Sequence, residues 1–197
     1  MAVIVLAAGI YFYRGHQQTV REEALAQAIR VDDATVGATA SPANLHYNTE
    51  EEKTKARQKA FGDLAAKYRG TQEGSIAGLT LAAEAADAGK LDEAEKRYKD
   101  IADSAPKVYA ALAKLSLAQV YAAEGKVPEG EKVLRDLIAH PTLMVSKEQA
   151  TVALGRLLAK SNPVEARKIL EPLRTERASI SQAAVAALGE LPQNPTK

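Results

Sequence analysis

The chain repeats itself every 36 residues, and nothing else in it restricts the fold as tightly. Glu93-Ala94, Glu129-Gly130 and Glu165-Ala166 stand 36 apart, with Gly89, Gly125 and Ser161 in the same register. Tyr98, Leu134 and Leu170 follow suit, and so do Ile101, Leu137 and Leu173. A period of this length belongs to helical hairpins that cannot bury their apolar faces alone and do so by stacking. Stacked hairpins present a long curved surface, so the first expectation is a binding protein.

The 197 residues suffice for one domain of ordinary size with a substantial core. With 26 basic and 25 acidic side chains the net charge is +1, which leaves no basic footprint for nucleic acid. Cysteine is absent, which excludes disulfides, thiolate catalysis and cysteine-ligated zinc and argues against a lipid-bearing cysteine anchor. Abundant alanine lets helices approach closely and suits all-α packing.

Met1 to Tyr13 is an unbroken apolar run ended by Arg14. As a helix it would reach roughly 20 Å, short of the ~30 Å hydrocarbon core. The leading expectation is the second half of a transmembrane helix whose start precedes Met1. A signal-peptide core and a soluble or interfacial helix are the alternatives, the former lacking a basic n-region and a small-x-small cleavage site. Tyr11, Phe12 and Tyr13 before Arg14 resemble an interfacial aromatic belt and favour the membrane. Arg14 and Arg21 after the run would place the body in the cytoplasm if nothing precedes it, so sidedness stays open.

Apolar spacing predicts a helix over 15–30, and Gly37, Ser41, Pro42 and Asn44 mark 31–48 as a linker. Thr49-Glu50-Glu51-Glu52 reads as a capping box opening a helix over 50–68. Phe61, Leu64, Ala65 and Tyr68 face inward on it, and Gly70 ends it. The repeat domain runs from 49 to 190, with repeats of about 75–110, 111–146 and 147–182. Helices are expected near 73–88 and 91–104, 107–123 and 128–139, and 147–160 and 163–173. Gly89-Lys90 and Gly125-Lys126 turn the first two hairpins. Ser161-Asn162 turns the third, with Pro163 at a first helical position where its missing amide costs nothing. Ser146-Lys147-Glu148-Gln149 is a second capping box. A short helix over 179–190 closes the stack, and 191–197 reads as a disordered tail.

The units resemble the tetratricopeptide repeat family. Leu81, Ala82, Gly89, Leu91, Ala94, Tyr98, Ile101 and Pro106 carry its signature spacing in the first unit. Leu117, Ala118, Tyr121, Gly125, Gly130, Leu134 and Leu137 do so in the second, and Ala153, Leu154, Leu157, Ala166, Leu170 and Leu173 in the third. The third unit lacks the turn glycine and the closing proline. The resemblance implies a right-handed solenoid of helical hairpins. The layout, with a membrane-like start, an Ala-rich helix, a linker and then Phe61, Leu64 and Tyr68 leading into repeats, is similar to the bacterial YfgM-like family. These are ancillary subunits of the SecYEG translocon, anchored by one transmembrane helix in the inner membrane with a periplasmic repeat domain. That resemblance implies translocon subunits, periplasmic chaperones or exported clients as protein partners.

No cofactor, metal site or small-molecule substrate is expected. His16, His46 and His140 are isolated, and no phosphate-binding glycine loop or nucleophile elbow is present. Glu50-Glu51-Glu52 is better explained by the helix macrodipole than by a cation. Family geometry puts a groove wall on the first helix of each hairpin. That wall comprises Ile76, Leu79, Ala83 and Ala86, then Leu112, Leu115, Gln119 and Ala122, then Glu148, Thr151, Gly155 and Leu158. Leu79 and Ala83 stand where some relatives clamp a peptide carboxylate, so that mode is not expected. So apolar a wall calls for a partner, or for helix 15–30 or 50–68 of the same chain to cover it. The leading function is a membrane-anchored extracytoplasmic scaffold for protein partners. The alternative is a structural assembly subunit whose groove is filled internally. An enzyme is the remote third, for which no convergent titratable cluster appears.

Overall fold

The computed structural model of the protein describes residues 2–37 and 45–192. Those residues form the helices α1 (Ala2–Asp32), α2 (Glu50–Lys67), α3 (Gln72–Asp87), α4 (Leu91–Ser104), α5 (Lys107–Ala123), α6 (Val127–Ala139), α7 (Lys147–Leu158), α8 (Pro163–Leu170) and α9 (Ala178–Gly189). A 3-10 helix spans Glu171–Thr175, and the two-residue strands β1 (Thr35–Val36) and β2 (His46–Tyr47) pair in parallel. The all-α, repeat-like expectation holds, with hairpin helices within about two residues of their expected bounds except at the end of α8. Two compact units result, Met1–Leu81 and Ala82–Lys197.

In the first unit, the apolar run and the helix expected over 15–30 are one 31-residue helix. No proline interrupts it. Among the described residues no helix is long and apolar enough to cross a membrane; Arg14, His16, Gln17 and Gln18 follow the apolar run directly. The C-terminal part of α1 packs through Ala24, Leu25 and Ala28 into a core with Phe61, Leu64, Ala77 and Leu81. Arg21 reaches the start of α3, where its Nε meets the buried Glu73 carboxylate at 3.1 Å. Arg57 pairs with Asp32 at 2.5 Å. The expected linker is ordered at both ends by β1 and β2, and Ser41, Pro42 and Asn44 lie outside the described residues.

The first capping box differs from expectation in one bond. The Thr49 hydroxyl accepts from the Glu52 amide, but the Glu52 carboxylate accepts from the Asn48 amide, one residue upstream of Thr49. The turn from α2 to α3 needs glycine twice. Gly70 sits at φ 81°, and a side chain on Gly74 would come within 2.1 Å of the Tyr68 carbonyl oxygen.

In the second unit successive helices run antiparallel, and the first helices α5, α7 and α9 lie side by side. Gly125 takes φ 73°, which lets the Lys126 amide reach back to the Tyr121 carbonyl at 2.8 Å and turn α5 into α6. Ala94, Gly130 and Ala166 are buried at close helix crossings, as the repeat implied. Leu134, Leu154, Leu170 and Val145 are the largest fully buried side chains. α8 is shorter than expected because Pro172 lacks the amide that would continue it, and the chain tightens into the 3-10 helix. Through Ile180, Ala184 and Ala187, α9 covers the end of this core, and Leu191 joins it rather than starting a tail. Of the rest of the expected tail, Pro192 is exposed and 193–197 lie outside the described residues.

Candidate functional site

The first-helix wall of the second unit contains a cavity of about 370 Å³ between α5 and α7. Leu115, Ala118, Gln119 and Ala122 line it from α5, and Gln149, Val152, Ala153, Arg156 and Leu157 from α7, over Leu134 of α6. Its position follows from packing. α5 and α7 stand side by side while Leu134, at 1% exposure, fills the space behind them. Small residues at 118, 122 and 153 leave the gap open in front.

Of the wall residues read from the sequence, Leu115, Gln119 and Ala122 line this cavity. Leu115 is half-buried, and Gln119 and Ala122 are exposed. Leu112 is half-buried and packs against the same core. Ala83 is exposed and Ala86 half-buried on the part of α3 in this unit, while Ile76 and Leu79 are half-buried on the part in the first unit.

The third set needs correction. Leu158 is 3% exposed and Gly155 is buried, so neither presents a surface. Gly155 sits where α7 crosses α8, and a Cβ there would lie 2.5 Å from Leu170 Cγ. Thr151 is half-buried with its hydroxyl donating to the Lys147 carbonyl at 2.8 Å, and Glu148 is half-buried at the helix start. The second helices keep the 36-residue register, but the first helix of the third hairpin does not. An offset of 37 superposes the buried Ala113, Leu117, Ala118, Val120 and Tyr121 on the buried Ala150, Leu154, Gly155, Leu157 and Leu158. The extra residue lies in the long connection between α6 and α7. The register is restored before α8, because Leu158 stands five residues before Pro163 whereas its counterpart Tyr121 stands six before Val127. At that offset Leu112, Leu115 and Gln119 correspond to Gln149, Val152 and Arg156, and these three line the cavity. Sequence reasoning missed them by carrying one period through a helix that starts after a longer loop.

Chemically the site is an apolar floor with two carboxamides and one guanidinium at its edge. Arg156 Nε lies 3.7 Å from Glu190, and both side chains are about half exposed, so the pair constrains Arg156 weakly. Among the described residues no group of three His, Asp or Glu side chains converges to hold a metal ion. His140 lies at the end of α6, its Nδ1 3.0 Å from Asp136.

A second cavity, of about 450 Å³, opens on the opposite face between α4, α5 and α6. Within it Lys114 Nζ is 2.7 Å from Asp136, whose carboxyl this lysine holds below its usual range. Beside it Glu95 receives hydrogen bonds from Lys126, at 2.6 Å, and from Lys99, and its pKa falls to about 2. Both lysines lie over the Tyr121 ring, within 6 Å. This cluster ties α4 to the turn between α5 and α6.

No curated protein and no solved structure matches the chain. The family model described as tetratricopeptide repeat-like domain matches residues 1–142, which takes in α1, the first two hairpins and the start of the loop before α7. Repeat, helix order and family match coincide, and the chain belongs to the tetratricopeptide repeat-like domain family.

Proposed function

We propose that the protein is a membrane-anchored, extracytoplasmic scaffold that binds protein partners or clients in the groove between α5 and α7. The carrying observation is the cavity itself, an apolar floor held open by small residues and edged by Gln119, Gln149 and Arg156. Such a surface takes an aliphatic side chain into its floor and meets the partner backbone with the Gln119 carboxamide, the Gln149 oxygen being engaged by the Ser146 amide. Membership in the tetratricopeptide repeat-like family supports a protein-interaction scaffold. Anchoring through the apolar start of α1 accords with the Tyr-Phe-Tyr-Arg boundary at residues 11–14. The resemblance to the YfgM-like family supports the bacterial inner membrane as location and the periplasm as compartment. It also supports SecYEG translocon subunits, periplasmic chaperones or exported clients as partners.

In-cell photocrosslinking from position 115, followed by mass spectrometry of the adducts, tests this reading. Translocon subunits, extracytoplasmic chaperones or exported clients are the expected adducts, and Leu115→Glu should abolish capture while the helical spectrum persists. Crosslinks confined to the chain's own residues 15–68 would replace the scaffold by a structural subunit with a filled groove.

A further inference from the structure

The connection between α6 and α7 holds a leucine almost wholly in solvent. Leu143 is 98% exposed and Met144 beside it 42%. The loop that carries them is tightly built. The Thr142 amide donates to the Val145 carbonyl at 2.8 Å, the Val145 amide donates to the Thr142 hydroxyl at 3.1 Å, and Val145 is fully buried. With Val145 pinned in the core and Ser146 closing a complete capping box on α7, the two residues before them can only point outward. The fold therefore presents an apolar prong and forgoes the burial of a whole leucine side chain.

The same end of the second unit carries cations where helices disfavour them. Lys107 opens α5, Lys147 opens α7 and Arg177 caps α9, all exposed, and none closes a salt bridge among the described residues. A helix start carries partial positive charge and stabilises acids. The opposite end of the unit obeys that rule, with Asp92 and Glu93 opening α4, Glu129 opening α6 and Glu165 opening α8. Asp103, Glu148 and Glu176 stand among the three cations, so the end is mixed in charge rather than a basic field. Glu148 is held low by its own amide and by the Ser146 hydroxyl, and further by Arg177 and Lys147.

We infer that this end of the unit rests on a phospholipid surface. Leu143 and Met144 enter the headgroup layer while Lys107, Lys147 and Arg177 meet phosphates. The area decides against a protein partner: two side chains fall far below the ~800 Å² per partner of a stable protein interface. A lipid surface needs no complementary pocket, and a prong too weak to hold a protein alone suffices where a second anchor keeps it near. The contact is separate from the groove, and its test does not depend on what the groove binds.

The chain contains no tryptophan, so a single indole reports its own surroundings. Leu143→Trp and, as a reference at the other end of α7, Lys160→Trp are made in the full chain. Each is held on vesicles of three parts phosphatidylcholine to one part phosphatidylglycerol, through an N-terminal histidine tag and nickel-chelating lipid. Attachment then does not depend on α1. Bromine-labelled lipid should quench the indole at position 143 several-fold more than the one at 160, with a blue-shifted emission only at 143. Reversing the three cations (Lys107→Glu, Lys147→Glu, Arg177→Glu) should bring the two positions level. Equal quenching at 143 and 160 in the unreversed protein would overturn the inference, and undiminished quenching after reversal would overturn the role of the cations. A Tyr13→Trp variant without the tag reads the α1 anchor separately.

Discussion

Gly155→Ala should destabilise the second unit by about 2 kcal/mol, against the usual gain of replacing a helical glycine. A Cβ built at Gly155 lies 2.5, 2.7 and 2.7 Å from Cγ, Cδ1 and Cδ2 of Leu170. Leu170 is fully buried and cannot swing away. Overpacking of this kind costs about 1–3 kcal/mol, and three simultaneous contacts put this site at the upper end. Relief of glycine's backbone entropy in a helix returns about 1 kcal/mol, leaving a loss near 2. Two other glycines calibrate the estimate. At Gly130 the nearest atom is Leu157 Cδ2 at 2.9 Å, the far end of a flexible side chain, so strain and propensity should cancel to within ~0.5 kcal/mol. At Gly189 nothing lies within 4 Å, so alanine should gain about 0.5 kcal/mol near the helix end. Urea unfolding of the full chain followed by far-ultraviolet circular dichroism measures all three. In a thermal scan the Gly155 variant should melt roughly 8 °C below the parent, at ~4 °C per kcal/mol for a unit of this size. The order Gly189→Ala, Gly130→Ala, Gly155→Ala from most to least stable is the essential result. A Gly155→Ala protein melting at or above the parent would refute the close crossing of α7 on α8, and with it the 37-residue register that places Val152 and Arg156 on the groove.

Glu95→Gln should cost about 1 kcal/mol at neutral pH, since the cluster is near the surface and partly screened. The Glu95 pKa is depressed in the folded protein, so its contribution is complete above the ordinary carboxylate value of 4.5 and fades as pH falls toward about 2. Parent and variant unfolding curves should converge over that window, and a constant gap would refute the ion-pair account. In the first unit Arg21→Met should cost about 3 kcal/mol by stranding the Glu73 carboxylate at 5% exposure. Amide hydrogen exchange at the start of α3 should then accelerate, and unchanged protection there would show that the pair is dispensable.

The period of 36 residues and the small residues at 94, 130 and 166 determined the hairpins, because helix crossings demand small side chains at fixed spacing whatever the rest of the chain does. Pro163, the capping box at Ser146 and the turn glycines at 89 and 125 are local signals that the structure follows, since each acts within four or five residues. The groove was half legible. Leu115, Gln119 and Ala122 sit on α5 as the pattern implies, but Gln149, Val152 and Arg156 do not follow from periodicity. Which face of α7 is buried depends on the length of the loop before it and on where Leu170 packs, and both are settled between helices rather than along one. The 31-residue run of α1 and the pairing of Arg21 with Glu73 also lay beyond the sequence. The pair joins residues 52 apart in the chain, too far for a local pattern to register, and the packing of α1 on the α2–α3 core brings them together.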